Sequence, residues 1–246
     1  MRHLLAVLFA LGLLVLASRA EAKASGSVGE PQRLEVPGHP DAYFYRPRSR
    51  GPKPVIMYLH GRNGNAAEDC RKWAKVATQF GWVVCPQGPG ESGNGGRHWM
   101  NSAEAGKSVM DAALGALRTK YKGRVQRFGN ILVGFSEGAF VAMQAGLRDQ
   151  KTWNRWLILA ASDRYWVGEA PAALDAGTGG SKLKRVYLLT GESDGVAENT
   201  QRVGEMLKEH RVPVRVHIAA GMGHEIARDR MVTTYRRPLA WLARGR

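Results

Sequence analysis

The sequence predicts an α/β fold in which a mostly parallel, eight-stranded sheet carries helices on both faces. The composition, with 44% apolar and 23% charged residues, lies in the range of globular domains. Short apolar runs alternate along the chain with amphipathic stretches of helical period. Most of these runs are apolar at every position, which is typical of parallel strands covered on both sides. Because strands and helices alternate, we expect right-handed crossovers within one domain.

Residues 1–22 have the pattern of an export signal. A short positive start, Met1 to His3, precedes an apolar run over 4–16. That run is shorter than the roughly 20 residues of a spanning helix. Ala20 and Ala22 supply the small side chains of a cleavage site. We expect cleavage near Ala22 and a secreted or periplasmic protein, and an uncleaved N-terminal anchor is the alternative.

The remainder of the chain is predicted to be a linker followed by one domain. Residues 23–31 are small and polar and have little to bury, so we expect a flexible linker there. The domain is predicted to cover 32–246. No later apolar run in this range approaches the length of a membrane span.

Eight apolar runs predict the strands of the sheet, and five amphipathic stretches predict helices. The strands are expected at 34–36, 42–45, 55–59, 82–85, 131–133, 156–159, 186–189 and 214–218. The helices are expected at 66–79, 103–121, 137–147, 198–210 and around 239–242. Asn101 is a candidate cap for the second helix, with Glu104 as its capping-box partner.

The charge and cysteine content restrict the classes of function. The chain has 36 Lys and Arg against 21 Asp and Glu, a net charge of +15. No nucleic-acid motif accompanies this excess, so no nucleic acid is expected as a partner. A solvated basic surface is one interpretation, and weak attraction to anionic polymers or envelope surfaces is the other. Two cysteines are too few for a disulfide-scaffolded miniprotein or a Cys-rich zinc site.

The two cysteines, Cys70 and Cys85, form a candidate disulfide if the chain is exported. Closing a loop of about 15 residues contributes roughly 3 kcal/mol in the chain-entropy description. Two separate buried thiols are the alternative, because the sequence gives no distance between them.

A candidate nucleophile lies in Gly-Phe-Ser-Glu-Gly at 134–138. This G-x-S-x-G pattern follows a predicted strand and opens a helix of small residues, which is the context the motif requires. The pattern occurs again at 191–195, around Ser193. After Ser193 only one strand and one histidine follow, so Ser136 is the favoured nucleophile. A glycine-serine turn without chemistry is the alternative for either match.

In this context the chain resembles the α/β-hydrolase family, and the Ser136 turn is similar to its nucleophile elbow. The resemblance implies an acid after the seventh strand and a histidine after the eighth. Asp194 and His224 stand at those places, so the resemblance implies a triad of Ser136, Asp194 and His224 at one edge of the sheet. Asp163, which follows the sixth strand, is the rival acid.

The segment His60-Gly61-Arg62 after the third strand is similar to the family's oxyanion loop. The resemblance implies that the backbone amides of Arg62 and Glu137 stabilise the developing oxyanion, and that His60 is structural. A plain glycine-asparagine turn is the alternative.

A glycine-rich stretch at 88–93 formally matches a dinucleotide-binding pattern, but it opens no helix, so no such cofactor is expected. We expect instead that the loop over 86–97 borders the substrate cleft and that Trp99 lines it.

These residues together predict an exported serine hydrolase that cleaves carboxylic esters, with a small-molecule or polymeric substrate and no metal or organic cofactor. Only a short connection, 163–184, separates the sixth and seventh strands, where many relatives insert a lid, so little or no lid is expected. The compact form resembles carboxylesterases, feruloyl esterases and polyhydroxyalkanoate depolymerases. A serine peptidase on the same scaffold and a non-catalytic binding protein are the alternatives.

The export signal makes a direct prediction about the mature chain. The intact mass of the exported protein should correspond to a chain that begins at or near Lys23, because the peptidase removes the apolar run. A mass that retains Met1 would contradict the prediction.

Overall fold

The computed structural model describes residues 28–164, 166, 168–175 and 182–244. The predicted export signal and residues 23–27 of the predicted linker lie outside the described residues. The compact unit Pro31–Arg246 contains one eight-stranded sheet and a separate two-stranded hairpin.

The eight-stranded sheet is mostly parallel. Its strands are β1 (Gln32–Leu34), β2 (Ala42–Tyr45), β3 (Val55–Leu59), β4 (Trp82–Pro86), β7 (Ile131–Phe135), β8 (Arg155–Leu159), β9 (Arg185–Gly191) and β10 (Val214–Ala219). They lie in the order β1-β2-β4-β3-β7-β8-β9-β10. Only the pairings of β1 with β2 and of β2 with β4 are antiparallel. The predicted α/β-hydrolase fold with an eight-stranded, mostly parallel sheet is therefore confirmed. The separate hairpin pairs β5 (Gly90–Glu91) with β6 (Arg97–His98).

Helices cover both faces of the sheet and bury two apolar layers. The described helices are α1 (Ala66–Ala77), α2 (Ala103–Lys120), α3 (Glu137–Arg148), α4 (Ala170–Asp175), α5 (Ala197–Glu209), α6 (Met231–Ala243) and a 3₁₀ turn at Arg228–Arg230. One layer packs α2, α3 and α5 against the sheet, and the other packs α1 and α6. The central strands are buried along their whole length because both layers press on them.

The structure departs from the predicted elements at both ends of the chain. The first strand ends at Leu34 rather than beginning there. The last helix begins at Met231, eight residues before the predicted stretch, and contains Pro238. Proline lacks the amide hydrogen that continues a helix, which hides the first half of α6 from a sequence pattern. Pro238 is buried in the layer between α6 and the sheet.

The connection between β8 and β9 contains the short helix α4, which the sequence did not predict. Ala170 and Leu174 are buried, and α4 packs against α3 on one face of the sheet. The described part of this connection therefore adds to the helical layer.

The two cysteines are free thiols in the structure, so the predicted disulfide is not formed there. Cys70 on α1 and Cys85 on β4 are both fully buried. Burial raises the pKa of the Cys85 thiol, and its hydrogen bond to Cys70 raises it further. The two side chains thus lie next to each other between α1 and β4, joined by this hydrogen bond.

Within the described ranges, none of the helices combines the length and the apolar character needed to cross a membrane.

Candidate active site

Ser136 occupies a strained turn between β7 and α3. Its backbone has φ 53° and ψ −118°, a conformation that residues other than glycine rarely adopt. Such a residue costs of order 1–3 kcal/mol and persists only where the surroundings enforce it. Here Ser136 is directly followed by α3, whose first amides have no helical partner and carry the positive end of the helix dipole.

Two glycines allow this turn to form. A Cβ on Gly138 would lie 2.3 Å from the carbonyl oxygen of Leu59, and a Cβ on Gly134 would lie 2.4 Å from the carbonyl oxygen of Gly138. Any side chain at either position would push α3 away from the ends of β3 and β7. The G-x-S-x-G spacing is therefore a packing requirement of the strand-turn-helix unit.

The structure brings Ser136, His224 and Asp194 together in one hydrogen-bonded chain. The Nε2 atom of His224 lies 2.9 Å from Oγ of Ser136. The Nδ1 atom of His224 lies 3.0 Å from each carboxylate oxygen of Asp194. Because a carboxylate accepts, Nδ1 carries the proton and Nε2 is free to accept the hydroxyl proton of the serine. The arrangement suits removal of a proton from Ser136 by His224.

Asp194 is held as a buried carboxylate. Its side chain is 2% exposed, while that of His224 is 47% exposed. Burial by itself raises the pKa of Asp194, but hydrogen bonds from the Thr190 hydroxyl, the Val196 amide and His224 outweigh it, so the pKa lies below its ordinary value. The carboxylate therefore stays charged and fixes the orientation of the imidazole.

Backbone hydrogen bonds join the loop of the acid to the loop of the histidine. The amide of Glu192 donates to Ala219, and the amide of Ser193 donates to Met222. Ser193 itself is exposed and does not line the cavity around Ser136. The helix that follows it, α5, begins only at Ala197. The second G-x-S-x-G match lacks the direct strand-turn-helix geometry of the first.

Asp163 is engaged elsewhere. Its carboxylate accepts hydrogen bonds from Arg202 and from the side-chain amide of Asn199, and the bond from Arg202 lowers its pKa. Both partners lie on α5. The carboxylate that accepts a hydrogen bond from His224 is that of Asp194. Asp163 ties the end of β8 to α5.

His60 shapes the loop that follows β3. Its Nδ1 donates to the carbonyl of Gly61 at 2.7 Å, and its Nε2 accepts from the amide of Gly88 at 3.0 Å. Burial lowers the pKa of His60, so the neutral ring with one donor and one acceptor is favoured. The ring therefore joins two loops and is structural.

The prediction that Trp99 lines the cleft is wrong. Trp99 is fully buried, its indole N–H donates to the carbonyl of His60 at 2.7 Å, and its ring lies 5.1 Å from the His60 ring. An indole needs a partner when buried, and the backbone behind the His60 loop provides it. Trp99 supports the loop from behind.

The loop over 86–97 does not border the main cleft either. Its hairpin pairs with the loop after β3, where Gly64 and Arg97 exchange backbone hydrogen bonds of 3.1 and 2.9 Å. The hydroxyl of Ser92 donates to the side chain of Asn63 at 2.6 Å. None of the described residues in 86–97 lines the cavity around Ser136. The hairpin instead braces the segment that carries Arg62.

Arg62 and Glu137 meet through their side chains beside the nucleophile. A guanidinium nitrogen of Arg62 lies 3.0 Å from Oε1 of Glu137, whose side chain is only 5% exposed. The same nitrogen donates to the side-chain oxygen of Asn101 at 2.9 Å, and the Asn101 amide donates to Oε1 of Glu137 at 2.9 Å. We call these three residues the clamp.

Asn101 is the residue of the clamp that the sequence pattern does not assign to the site. The sequence predicts that Asn101 caps α2, but Ser102 is the cap and accepts from the amide of Ala105. Met100 and Asn101 have φ of 59° and 48°. Asparagine tolerates this left-handed conformation better than most residues, which is the one signal in the sequence that could have marked the turn.

Two cavities open beside the triad. The larger has a volume of about 570 Å³ and the smaller about 340 Å³, and among the described residues His224 alone lines both. The larger cavity is lined by Arg62, Asn101, Ser136, Glu137, Phe140, Ala160, Ser162, Arg164, Gly195, Val196, Asn199 and His224. It therefore contains the nucleophile and both residues implied as oxyanion donors, and its size suits a small organic ligand.

No group of three or more His, Cys, Asp or Glu side chains among the described residues is arranged to hold a metal ion.

The comparisons with known proteins agree on the fold. No protein-family model matches the chain, and none of the curated proteins matches it. The chain is similar to the solved structure of esterase PE8, with TM-score 0.63 and 24% identity over 86% of this chain and 98% of that one. It is also similar to the Bacillus cereus carboxylesterase, with TM-score 0.58 and 16% identity over 82% of this chain and 92% of that one. Its similarity to Porphyromonas gingivalis dipeptidyl peptidase 4 has TM-score 0.61 and 16% identity over 91% of this chain and 36% of that one. At these identities the likeness shows the α/β-hydrolase fold.

The contacts of the two aspartates predict different effects on the reactivity of Ser136. Asp194→Asn should slow labelling of Ser136 by a fluorophosphonate by up to about 10⁴-fold, because the amide favours the wrong imidazole tautomer. Asp163→Asn should slow it less than about tenfold, since Asp163 contacts Arg202 instead of His224. The rate of labelling measures both, and the reverse ranking would move the acid to the end of β8.

Proposed function

We propose that this protein is a serine hydrolase that cleaves carboxylic esters through an acyl-enzyme on Ser136. The observation that carries the proposal is the hydrogen-bonded chain from Ser136 through His224 to Asp194, with the serine at the wall of an open cavity. A nucleophile, a base and a residue that orients the base are the parts that acyl transfer requires.

In the proposed reaction Oγ of Ser136 attacks the ester carbonyl while Nε2 of His224 takes its proton. The charged carboxylate of Asp194 stabilises the imidazolium that forms. When the tetrahedral intermediate collapses, His224 returns the proton to the departing alcohol. Water then attacks the acyl-enzyme with His224 again as the base, which releases the acid and restores Ser136.

The amides of Arg62 and Glu137 are the proposed donors to the oxyanion. Both residues line the cavity beside Ser136, and Glu137 is the first residue of α3. Their side chains are paired within the clamp, so the two segments that carry the amides are linked to each other. A fixed distance between two donors is what allows them to stabilise charge without reorganising during the reaction.

Esters are favoured over amides as substrates because the cleft is open. The His224 side chain is about half exposed, and α4 packs against α3. An alcohol leaves more readily than an amine, so an exposed site can cleave esters without strong contacts to the leaving group. The fold is shared with a dipeptidyl peptidase, which keeps peptide cleavage as the second candidate function.

Export is part of the same proposal. It rests on the apolar run at 4–16 and the small residues before Lys23, and it places the enzyme in the periplasm or outside the cell.

Substitution of the two candidate serines tests the nucleophile. Ser136→Ala should abolish fluorophosphonate labelling and nearly all ester cleavage, because the attacking oxygen is gone. Ser193→Ala is the matched control and should retain most activity, since Ser193 lies outside the cavity. Mass spectrometry of the labelled peptide identifies the residue. Labelling that persists in Ser136→Ala and disappears in Ser193→Ala would reject the assignment.

Matched substrates test the choice of ester over amide. We expect kcat/KM for p-nitrophenyl butyrate to exceed that for butyryl p-nitroanilide, with the same acyl group in each, because the difference then comes from the leaving group. Amide cleavage as fast as ester cleavage would favour the peptidase.

The clamp predicts a specific pattern of kinetic loss. Glu137→Ala should lower kcat about tenfold with little change in KM, because the oxyanion donors act more strongly on the transition state than on the substrate. Glu137→Gln retains an acceptor for Asn101 and should recover part of the loss. Glu169→Ala, which removes an exposed partner of Arg148, is the control for a lost ion pair. A rise in KM with unchanged kcat would contradict the proposed role.

A further inference from the structure

Arg164 is a cationic side chain at the wall of the larger cavity, and none of the described residues of that wall neutralises its charge. Within the described part of the chain, the Arg, Lys, Asp and Glu residues that line this cavity are Arg62, Glu137 and Arg164. Glu137 pairs with Arg62, so this acid and base largely cancel. Asp163, the neighbour of Arg164, is held by Arg202. Among the described residues no carboxylate pairs with Arg164, which is exposed.

Ser162 adds a second donor to the same wall. Its Oγ accepts the backbone amide of Arg164 at 3.3 Å, which uses an oxygen lone pair and leaves the hydroxyl proton to donate. A guanidinium with parallel N–H groups beside a free hydroxyl suits a carboxylate, which accepts at both of its oxygens.

The position of His224 between the two cavities indicates which part of the substrate would reach Arg164. The larger cavity contains Ser136 and both proposed oxyanion residues, so the carbonyl carbon lies there. In the proposed reaction His224 protonates the departing alcohol, and it also lines the smaller cavity, whose described lining residues include neither Ser136 nor the proposed oxyanion residues. The acyl chain would therefore extend along the larger cavity, past Phe140, Ala160 and Val196, whose surfaces suit methylene groups.

We propose that Arg164, assisted by Ser162, binds a carboxylate at the far end of the acyl chain, so that the preferred substrates are half-esters of linear dicarboxylic acids. This rests on the proposed esterase activity and names the acyl group that it takes. Arg164 is a specificity-determining residue in this proposal, since it contacts the substrate away from the reacting atoms.

The kinetic test compares charged and neutral acyl chains. The substrates are the mono-p-nitrophenyl esters of succinate, adipate and suberate, each against the p-nitrophenyl ester of a monocarboxylic acid of similar length. For the best chain length, Arg164→Ala should lower kcat/KM for the half-ester about tenfold and leave the neutral ester unchanged, because a partly exposed charged hydrogen bond is lost. The kcat/KM of Arg164→Lys for the half-ester should lie between the values of the unmodified protein and of Arg164→Ala. The preference of the unmodified protein for the half-ester should weaken as the salt concentration rises.

Arg50→Ala is the matched control. Arg50 is also exposed, but it precedes β3 and so lies at the opposite edge of the sheet from Ser136. An equal loss in Arg50→Ala and Arg164→Ala, a loss for both kinds of ester, or no preference for any half-ester would overturn the proposal.

A binding measurement separates this proposal from the esterase activity itself. Calorimetry with monomethyl esters of the same three dicarboxylic acids uses the Ser136→Ala protein, in which no turnover is needed. Binding that is lost on adding Arg164→Ala supports the carboxylate site, even if the unmodified protein cleaves no ester. Binding that is equal with and without Arg164, or absent for all three, overturns it.

Discussion

The active-site edge of this molecule depends on the contact between the start of α3 and the end of β3. Gly138 lies against the carbonyl of Leu59 at a distance that excludes any Cβ, and Gly134 lies equally close to Gly138. This approach favours the positive φ of Ser136, and α3, whose first amides carry the positive end of the helix dipole, begins directly after the serine. The loop carrying Arg62 leaves β3 at the same point. One packing constraint thus determines both the exposure of the hydroxyl and the position of the proposed oxyanion donors.

The sheet supplies the rest of the geometry through its parallel register. β9 and β10 pair up to Gly191 and Ala219, and their loops remain joined by the bonds from Glu192 and Ser193. Asp194 and His224 therefore meet although 30 residues separate them. Hydrogen bonds from Thr190 and Val196 keep the buried carboxylate charged against the cost of burial. The acid is fixed before any substrate is bound, which is the condition for it to orient the imidazole without reorganising.

The sequence predicts the fold and the contacts of the triad because both follow from local pattern and chain order. Buried parallel strands are apolar throughout, and their carboxyl ends lie at one edge, so residues that follow β7, β9 and β10 are expected to converge. The sequence predicts that Trp99 and the loop over 86–97 face the cleft, and this is wrong because the direction of a loop is set by its tertiary partners. Here those partners are the His60 carbonyl for the indole and Gly64 for the hairpin. No periodicity in the sequence encodes either contact.

The composition predicts the net charge of the protein, but packing determines which charged side chains remain unpaired at the site. A net charge of +15 describes the field around the protein at long range, but it does not give the sign of any one site. In the cleft the sign depends on pairing. Glu137 pairs with Arg62 inside the cleft, while Asp163, the neighbour of Arg164 in the chain, pairs with Arg202 on α5. Had Asp163 turned toward Arg164, the cavity wall would carry no unpaired cation. The selectivity that we propose for carboxylate-bearing acyl chains is therefore a consequence of how α5 packs against the end of β8.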